Sequence, residues 1–255
     1  MGSVVAWLPL LLVYIVAVKG HDFDYREALS KSLIFLEAQR SGKLPPNNRL
    51  AWRGDSGLDD GKDANEDLVG GYYDAGDNVK YGLPMAFTIT TLAWSAIAFK
   101  SELKSAGELE NVRAAIRWGT DYFLKAAAKH DRLYVHVGDP EKDHQYWVTP
   151  EDMKGPMPVL QINSDNPGTE IAGETSAAMA AASMVFRRID APYARHLLSK
   201  AKLLREEQYH QVHSGFGCTE FGATMLTSGD GPPTAAIIHI GANSFLGQWL
   251  IPRHG

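Results

Sequence analysis

The sequence predicts an all-α chain in which helix pairs are joined by long loops, an arrangement that suits a toroid more readily than a short-looped bundle. Three observations carry this. Several stretches repeat apolar residues at three- and four-residue steps. Strand-type alternation is almost absent, and two long segments, residues 43–82 and 129–173, are rich in acidic and aromatic residues without a sustained period.

The first helix is predicted over residues 24–39, where Tyr25, Ala28, Leu29, Leu33 and Leu36 share a stripe and Gly42 follows as a stop. Residues 43–82 carry Gly, Asp and Asn with Trp52, Tyr72 and Tyr73 embedded. A loop of that length in a compact chain is usually functional when it holds aromatics. Pro84 opens a second helix, to residue 99, with Phe87, Thr91, Trp94, Ile97 and Ala98 predicted to face one side. A third, over 108–127, places Leu109, Val112, Ile116, Gly119, Phe123 and Ala126 on one stripe. After the second loop, 174–188 is Ala-rich and helix-forming. The stretch 193–208 carries Leu197, Leu198, Ala201 and Leu204 at helical spacing, with Tyr209 continuing it. Beyond Gly215 neither caps nor period predict an element.

The 255 residues are 45% hydrophobic and 22% charged, enough to bury a core, and the formal charge is -5. With no Lys/Arg cluster, nucleic acid is not an expected partner. Cys218 is the single cysteine, which excludes an internal disulfide framework and a four-cysteine zinc site. Residues 1–20 are expected to be a signal peptide: an apolar run from Val4 to Val18 ends in Lys19 and Gly20, too short for a comfortable membrane span. Export to the extracellular space follows, with cleavage before His21 and no stable membrane insertion afterwards. Ala6 stands where a myristoylation signal needs Ser or Thr, and no Asn-x-Ser/Thr sequon occurs.

The sharpest chemical feature is Gly70-Gly71-Tyr72-Tyr73-Asp74-Ala75-Gly76-Asp77-Asn78, which sets two carboxylates three residues apart in a Gly-rich turn before a helix. Asp74 and Asp77 can aim at one spot and hold and deprotonate a water. From spacing alone, a solvated turn with an Asp capping the helix is the more ordinary reading. The acidic stretch from Asp55 to Asp67 puts Glu66 at position twelve of an EF-hand loop, but Asp60 fills the sixth position, where Gly is needed. In the second loop, Asp143-His144-Gln145-Tyr146-Trp147 precedes Pro150-Glu151-Asp152-Met153. Flat Trp and Tyr faces with His and Asp hydrogen-bonding groups suit carbohydrate; alternatively Trp147 is core and His144 merely satisfied. No Gly-x-Ser-x-Gly elbow, phosphate loop or His-Glu-x-x-His is present.

These residues also carry a resemblance. Gln39 to Pro45, Trp52 to Ser56, Asp67 to Asn78, Gly82 to Phe87, Trp118 to Phe123, Pro150 to Met153 and Ala172 to Thr175 together resemble plant endo-β-1,4-glucanases of glycoside hydrolase family 9. The resemblance runs from Asp24 to about Leu204. It implies an (α/α)6 toroid, here roughly its first half, with an open cleft for a β-1,4-glucan and hydrolysis with inversion; no cofactor and no metal ligand are assigned, and a calcium site outside the EF-hand pattern stays open. On matching positions it implies Asp77 as catalytic base, Asp74 as its partner in holding water, and His144, Trp147 and Tyr146 as glucan-binding residues. Residues 21–209 would then be the N-terminal half of a catalytic domain, acting as a monomer in the cell wall, and 210–255 a divergent tail. Two departures stand out. The family's Asn-Glu-Val-x-x-Asp-Tyr-Asn-Ala-type segment with its catalytic acid does not occur, and Thr149 replaces a usual Arg. A glucan-binding protein without activity and a non-functional product are therefore the rival expectations.

If residues 1–20 are a cleaved signal, N-terminal sequencing of secreted material will read from His21 or its immediate neighbours; an intact Met1 on soluble cytosolic protein would contradict this.

Overall fold

The computed structural model describes residues 23–155 and 157–209. The signal segment and the tail lie outside them, so neither expectation is addressed. Helix α1 spans Tyr25–Ala38, its first turn closed by Asp24, whose carboxylate accepts the Glu27 N–H at 2.9 Å. A long irregular stretch follows, broken by one 3₁₀ turn at Lys62–Ala64, as the loop over 43–82 predicts. Strand β1 (Lys80–Tyr81) leads directly into α2 (Gly82–Ala98), which bends by 89° into the short α3 (Lys100–Ala106). Then come α4 (Leu109–Ala126), β2 (Leu133–Val137), α5 (Pro140–Gln145), β3 (Val159–Ile162), α6 (Thr169–Phe186) and α7 (Ala191–Tyr209).

The fold is mostly helical, with α6 packed between its sequence neighbour α7 and the distant α2, and α2 also against α4. The middle helix of that set must present small residues on more than one side. α6 buries Ala172, Ala177, Ala178, Ala180, Ala181 and Ala182 around Met179, and Ser176 ties it to α7 by donating to the Ala201 carbonyl at 2.7 Å. On the other side Thr90 of α2 bonds Glu174 at 2.8 Å. Burial pushes the Glu174 carboxyl above the usual glutamate range, against the lowering effect of that bond.

Two sequence expectations need correction. The stretch 129–173 is not one loop. It holds α5, the first residues of α6 and the strands β2 and β3, which join β1 in an antiparallel sheet of order β1-β2-β3, with Tyr81 opposite His136, Val137 opposite Val159 and a bulge between Tyr134 and His136. Strands of two to five residues, one of them bulged, are too brief to leave a period in sequence. The stripe predicted for α2 is rotated: Met85, Ala86, Ile89, Thr90, Ala93 and Ala96 are buried, whereas Phe87 is 51% exposed. Gly82–Ala98 contains no charged residue, so hydrophobicity alone marks no face, and the small side chains turn to where neighbouring helices come closest. For α4 every predicted stripe residue is buried, because charged residues on its other face fix the direction. On α1, Leu33 is buried but Tyr25 is 77% exposed. Among the described residues no single helix is long and apolar enough to cross a membrane.

The irregular stretch is held down by one buried ion pair. Lys80 Nζ meets Asp60 Oδ2 at 2.6 Å, with both side chains at most 2% exposed. It also donates to the carbonyls of Leu68 at 2.7 Å and Gly70 at 2.8 Å, and lies 5.0 Å from the Tyr122 ring centre. Burial pushes Asp60 up and Lys80 down, while their mutual charge opposes both shifts. Helix α4 supplies the floor: Tyr72 donates to the Ala115 carbonyl at 2.8 Å, and Trp118 Nε1 to the Gly71 carbonyl at 2.9 Å. Gly71, at φ +74°, lies so near Tyr122 that a Cβ would meet its ring at 2.8 Å. Replacing Lys80 by Met strands the Asp60 charge and is expected to cost about 3–5 kcal/mol in urea unfolding. Pairing it with Asp60→Leu should recover part of that loss.

Candidate active site

Asp74 to Asp77 form a tight turn, the Asp77 N–H donating to the Asp74 carbonyl at 2.9 Å and the Asp74 N–H to the Val79 carbonyl at 3.1 Å. Ala75 in its middle sits at φ 49°. Neither aspartate caps α2, whose N-cap is Tyr81 without a side-chain capping bond. The turn instead projects from the start of β1, held by the Lys80 pair three residues on.

Asp77 is fixed at both oxygens. His144 Nε2 lies 3.1 Å from Oδ1, and the Tyr81 hydroxyl donates to Oδ2 at 3.3 Å. Tyr81 is set by β1: its ring stands edge-on to its cross-strand partner His136, centroids 4.9 Å apart at 89°. Burial and then the charge of Asp77, with smaller effects from Asp74 and Asp143, raise the Tyr81 phenol above its ordinary value. It therefore stays protonated, and able to donate, at neutral pH. Asp74 and Tyr81 line a common cavity of about 110 Å³.

His144 arrives on α5, a six-residue helix with Pro140 at its first position and Asp139 capping the Lys142 N–H at 3.2 Å. The Asn78 N–H donates to Asp143 Oδ1 at 3.1 Å, and Asn78 Nδ2 to the Val148 carbonyl at 3.0 Å. One residue beside Asp77 thus grips both ends of the segment that carries His144 and Trp147. Trp147 is 88% exposed, with its ring beside Gly76 of the Asp turn. Neither it nor His144, whose side chain is 62% exposed, is core. Tyr146 is also exposed at 66%, but it lines a different cavity of about 280 Å³ with Asn78, Asp143 and Val148. The structure therefore brings Asp77, His144 and Trp147 together, places Asp74 at the far end of the turn, and sets Tyr146 apart.

Tyr81 and Asn78 are contributors that sequence reasoning assigned no role, and Asp143, expected there only as a hydrogen-bonding group for carbohydrate, instead accepts from the Asn78 N–H. Asn78 and Asp143 lie next to assigned residues. For Tyr81, the fourth residue after Asp77, no local pattern signals that its hydroxyl turns back. Thr149 is used within its own turn, donating to Asp152 Oδ2 at 3.0 Å.

Behind the site a second clamp joins the loops. Glu151 Oε1 accepts from Arg53 Nε at 2.7 Å and from the Gly54 N–H at 2.8 Å. Arg53 also donates to the carbonyls of Ala38 and Arg40. Partial burial opposes it, but the Arg53 guanidinium and the Gly54 N–H hold the Glu151 carboxyl below the usual range. Glu151→Gln is expected to lower stability by about 1–3 kcal/mol and to speed amide exchange at Gly54 and across residues 146–153, read by hydrogen-exchange mass spectrometry.

Chemically, a carboxylate held by two hydrogen-bonding partners beside an open aromatic face can accept a proton from a water next to a stacked ring. Comparisons with known proteins bear on the family and the fold. The chain is 69% identical over 193 residues to endoglucanase 16 of Arabidopsis thaliana, covering 76% of this chain and 40% of that protein. To endoglucanase 8 of Oryza sativa subsp. japonica it is 66% identical over 205 residues, 80% of this chain and 40% of the relative. It thus spans about 40% of the length of these curated relatives. Among solved structures, the endoglucanase of the termite Nasutitermes takasagoensis superposes with a TM-score of 0.73 at 45% identity, over 80% of this chain and 46% of that one. The cellulase Cel9M of C. cellulolyticum in complex with cellobiose gives 0.77 at 33% identity, over 88% and 56%. Residues 25–214 match the profile of glycosyl hydrolase family 9. The fold is accordingly part of that family's helical barrel, and the chain belongs to glycosyl hydrolase family 9.

Proposed function

We propose that this chain is the glucan-binding and water-activating portion of an endo-β-1,4-glucanase, a glycosidase that cleaves internal bonds of cellulose or a related glucan with inversion. The observation that carries the reading is Asp77, its two oxygens held by His144 and Tyr81 beside the exposed ring of Trp147. In the proposed mechanism a sugar ring stacks on Trp147 and Asp77 takes the proton of the attacking water, with Asp74 helping to hold that water. His144 orients Asp77 and contacts the glucan, and Tyr146 contributes to binding further along. The cellobiose complex of Cel9M supports a β-1,4-glucan as ligand. The chain is exported to the cell wall, residues 1–20 serving as the signal, and acts as a monomer.

A second reading is favoured by the sequence itself. Inverting hydrolysis needs two carboxyl groups about 6.5–9.5 Å apart, one to activate water and one to protonate the leaving oxygen. The acid-bearing segment implied by the family does not occur, and after Gln208 the carboxylates are Glu220 and Asp230. The 255-residue chain is therefore proposed to bind glucan but to hydrolyse it no faster than background.

The test has two parts. Calorimetry with soluble cello-oligosaccharides should show binding that Trp147→Ala weakens by about 0.5–1.5 kcal/mol, up to roughly tenfold in Kd, and that Asp77→Asn leaves nearly intact. Supplied with a family C-terminal half, the same Asp77→Asn change should lower kcat by about 10²–10⁴ with little change in KM. Near-full turnover in that variant would reject the base assignment. Ordinary turnover of carboxymethyl cellulose by the chain alone, abolished by Glu220→Gln, would reject the second reading and make Glu220 the acid.

A further inference from the structure

Asp77, Asp143 and His144 each offer one ligand-competent atom to a common point, the three atoms lying within 4.8 Å of one another. We propose that this triad binds a divalent transition-metal ion of the Zn²⁺ type. Once bound, the ion occupies the Asp77 oxygen that faces His144. The binding site is inferred from side-chain geometry alone, so its test stands whether or not the chain acts on glucan; only the consequence for catalysis rests on the function proposed above.

The distances suit an ion rather than only a hydrogen bond. Two donors bound to one ion at about 2.0–2.1 Å stand about 2.8–3.4 Å apart at octahedral or tetrahedral angles. His144 Nε2 and Asp77 Oδ1 are 3.1 Å apart, so these two ligands need hardly move, with the metal replacing the proton they share. The donor set selects the ion: an imidazole with two carboxylates suits Zn²⁺ and its neighbours, whereas Ca²⁺ and Mg²⁺ prefer oxygen alone.

The ligands are also supported from behind. The Tyr81 hydroxyl holds the other oxygen of Asp77, the kind of outer hydrogen bond that orients a ligating carboxylate. The Asn78 N–H holds Asp143 and so ties the α5 segment to the residue beside Asp77. His144, with 62% of its side chain exposed, leaves the third face open to solvent and gives the ion a way in.

The experiment uses the full chain, stripped with chelator and titrated with Co²⁺ followed by its visible d–d bands, then challenged with Zn²⁺ by calorimetry. Wild type should take up one equivalent more than His144→Ala, with Zn²⁺ displacing it. Asp143→Asn should weaken that equivalent by about tenfold to a hundredfold. Histidines elsewhere bind equally in wild type and variants and cancel in the difference. Circular dichroism checks that the variants fold, and His144→Gln serves if the alanine variant does not. Equal Co²⁺ uptake with an unchanged spectrum in wild type, the His144 variant and Asp143→Asn would overturn the proposal, as would no uptake by wild type.

Discussion

An ammonium group buried among two carbonyls, one carboxylate and an aromatic face holds this structure together. Lys80 is 1% exposed, and its three N–H groups are matched by Asp60, Leu68 and Gly70. Taking both charges out of water is expensive, and the pair is tolerable only because every donor finds an acceptor. What it contributes is definition. A stretch of some forty residues with almost no regular structure is forced into one path, since moving any of the three acceptors would expose a buried charge to an apolar wall. The Asp turn is the section of that path immediately before Lys80, so the position of Asp77 is inherited from the pair.

The site is then assembled from two segments far apart in sequence, the irregular first loop and the stretch of α5 with the turns that follow it. Asn78 and Arg53 reach from the first loop to Asp143, Val148 and Glu151 of the second, across separations of 65, 70 and 98 residues. These bonds start from an irregular segment, whose backbone polar groups are mostly not paired in a sheet. Side chains therefore do the joining. The small sheet adds the last constraint: pairing β1 with β2 puts Tyr81 against His136 and so directs its hydroxyl back to Asp77.

The exposure of Trp147 is as informative as the burial of Lys80. A large ring left 88% exposed beside a hydrogen-bonded carboxylate serves no packing purpose. A flat apolar face with a polar group at its edge is what a sugar ring, with its own apolar face and equatorial hydroxyls, complements.

By itself the sequence determined the helical class, the five long helices, the irregular loop over 43–82, and the segments carrying Asp77, His144 and Trp147. Each leaves a local mark: a 3.6-residue period, a Gly-rich run, a cluster of aromatic and acidic residues. The helix α4 shows the best case, since its charged face fixes its buried one. Tertiary structure alone decided which face of α2 is buried, because a uniformly apolar helix takes its orientation from the size of its neighbours. It also decided that Leu133–Val137 and Val159–Ile162 pair, since a strand becomes one only through its partner. The roles of Tyr81, Asn78 and Asp143 belong here too. A hydrogen bond between residues 65 positions apart has no local signature in sequence, and it exists only after the Lys80 pair and the helix floor have brought the two loops together.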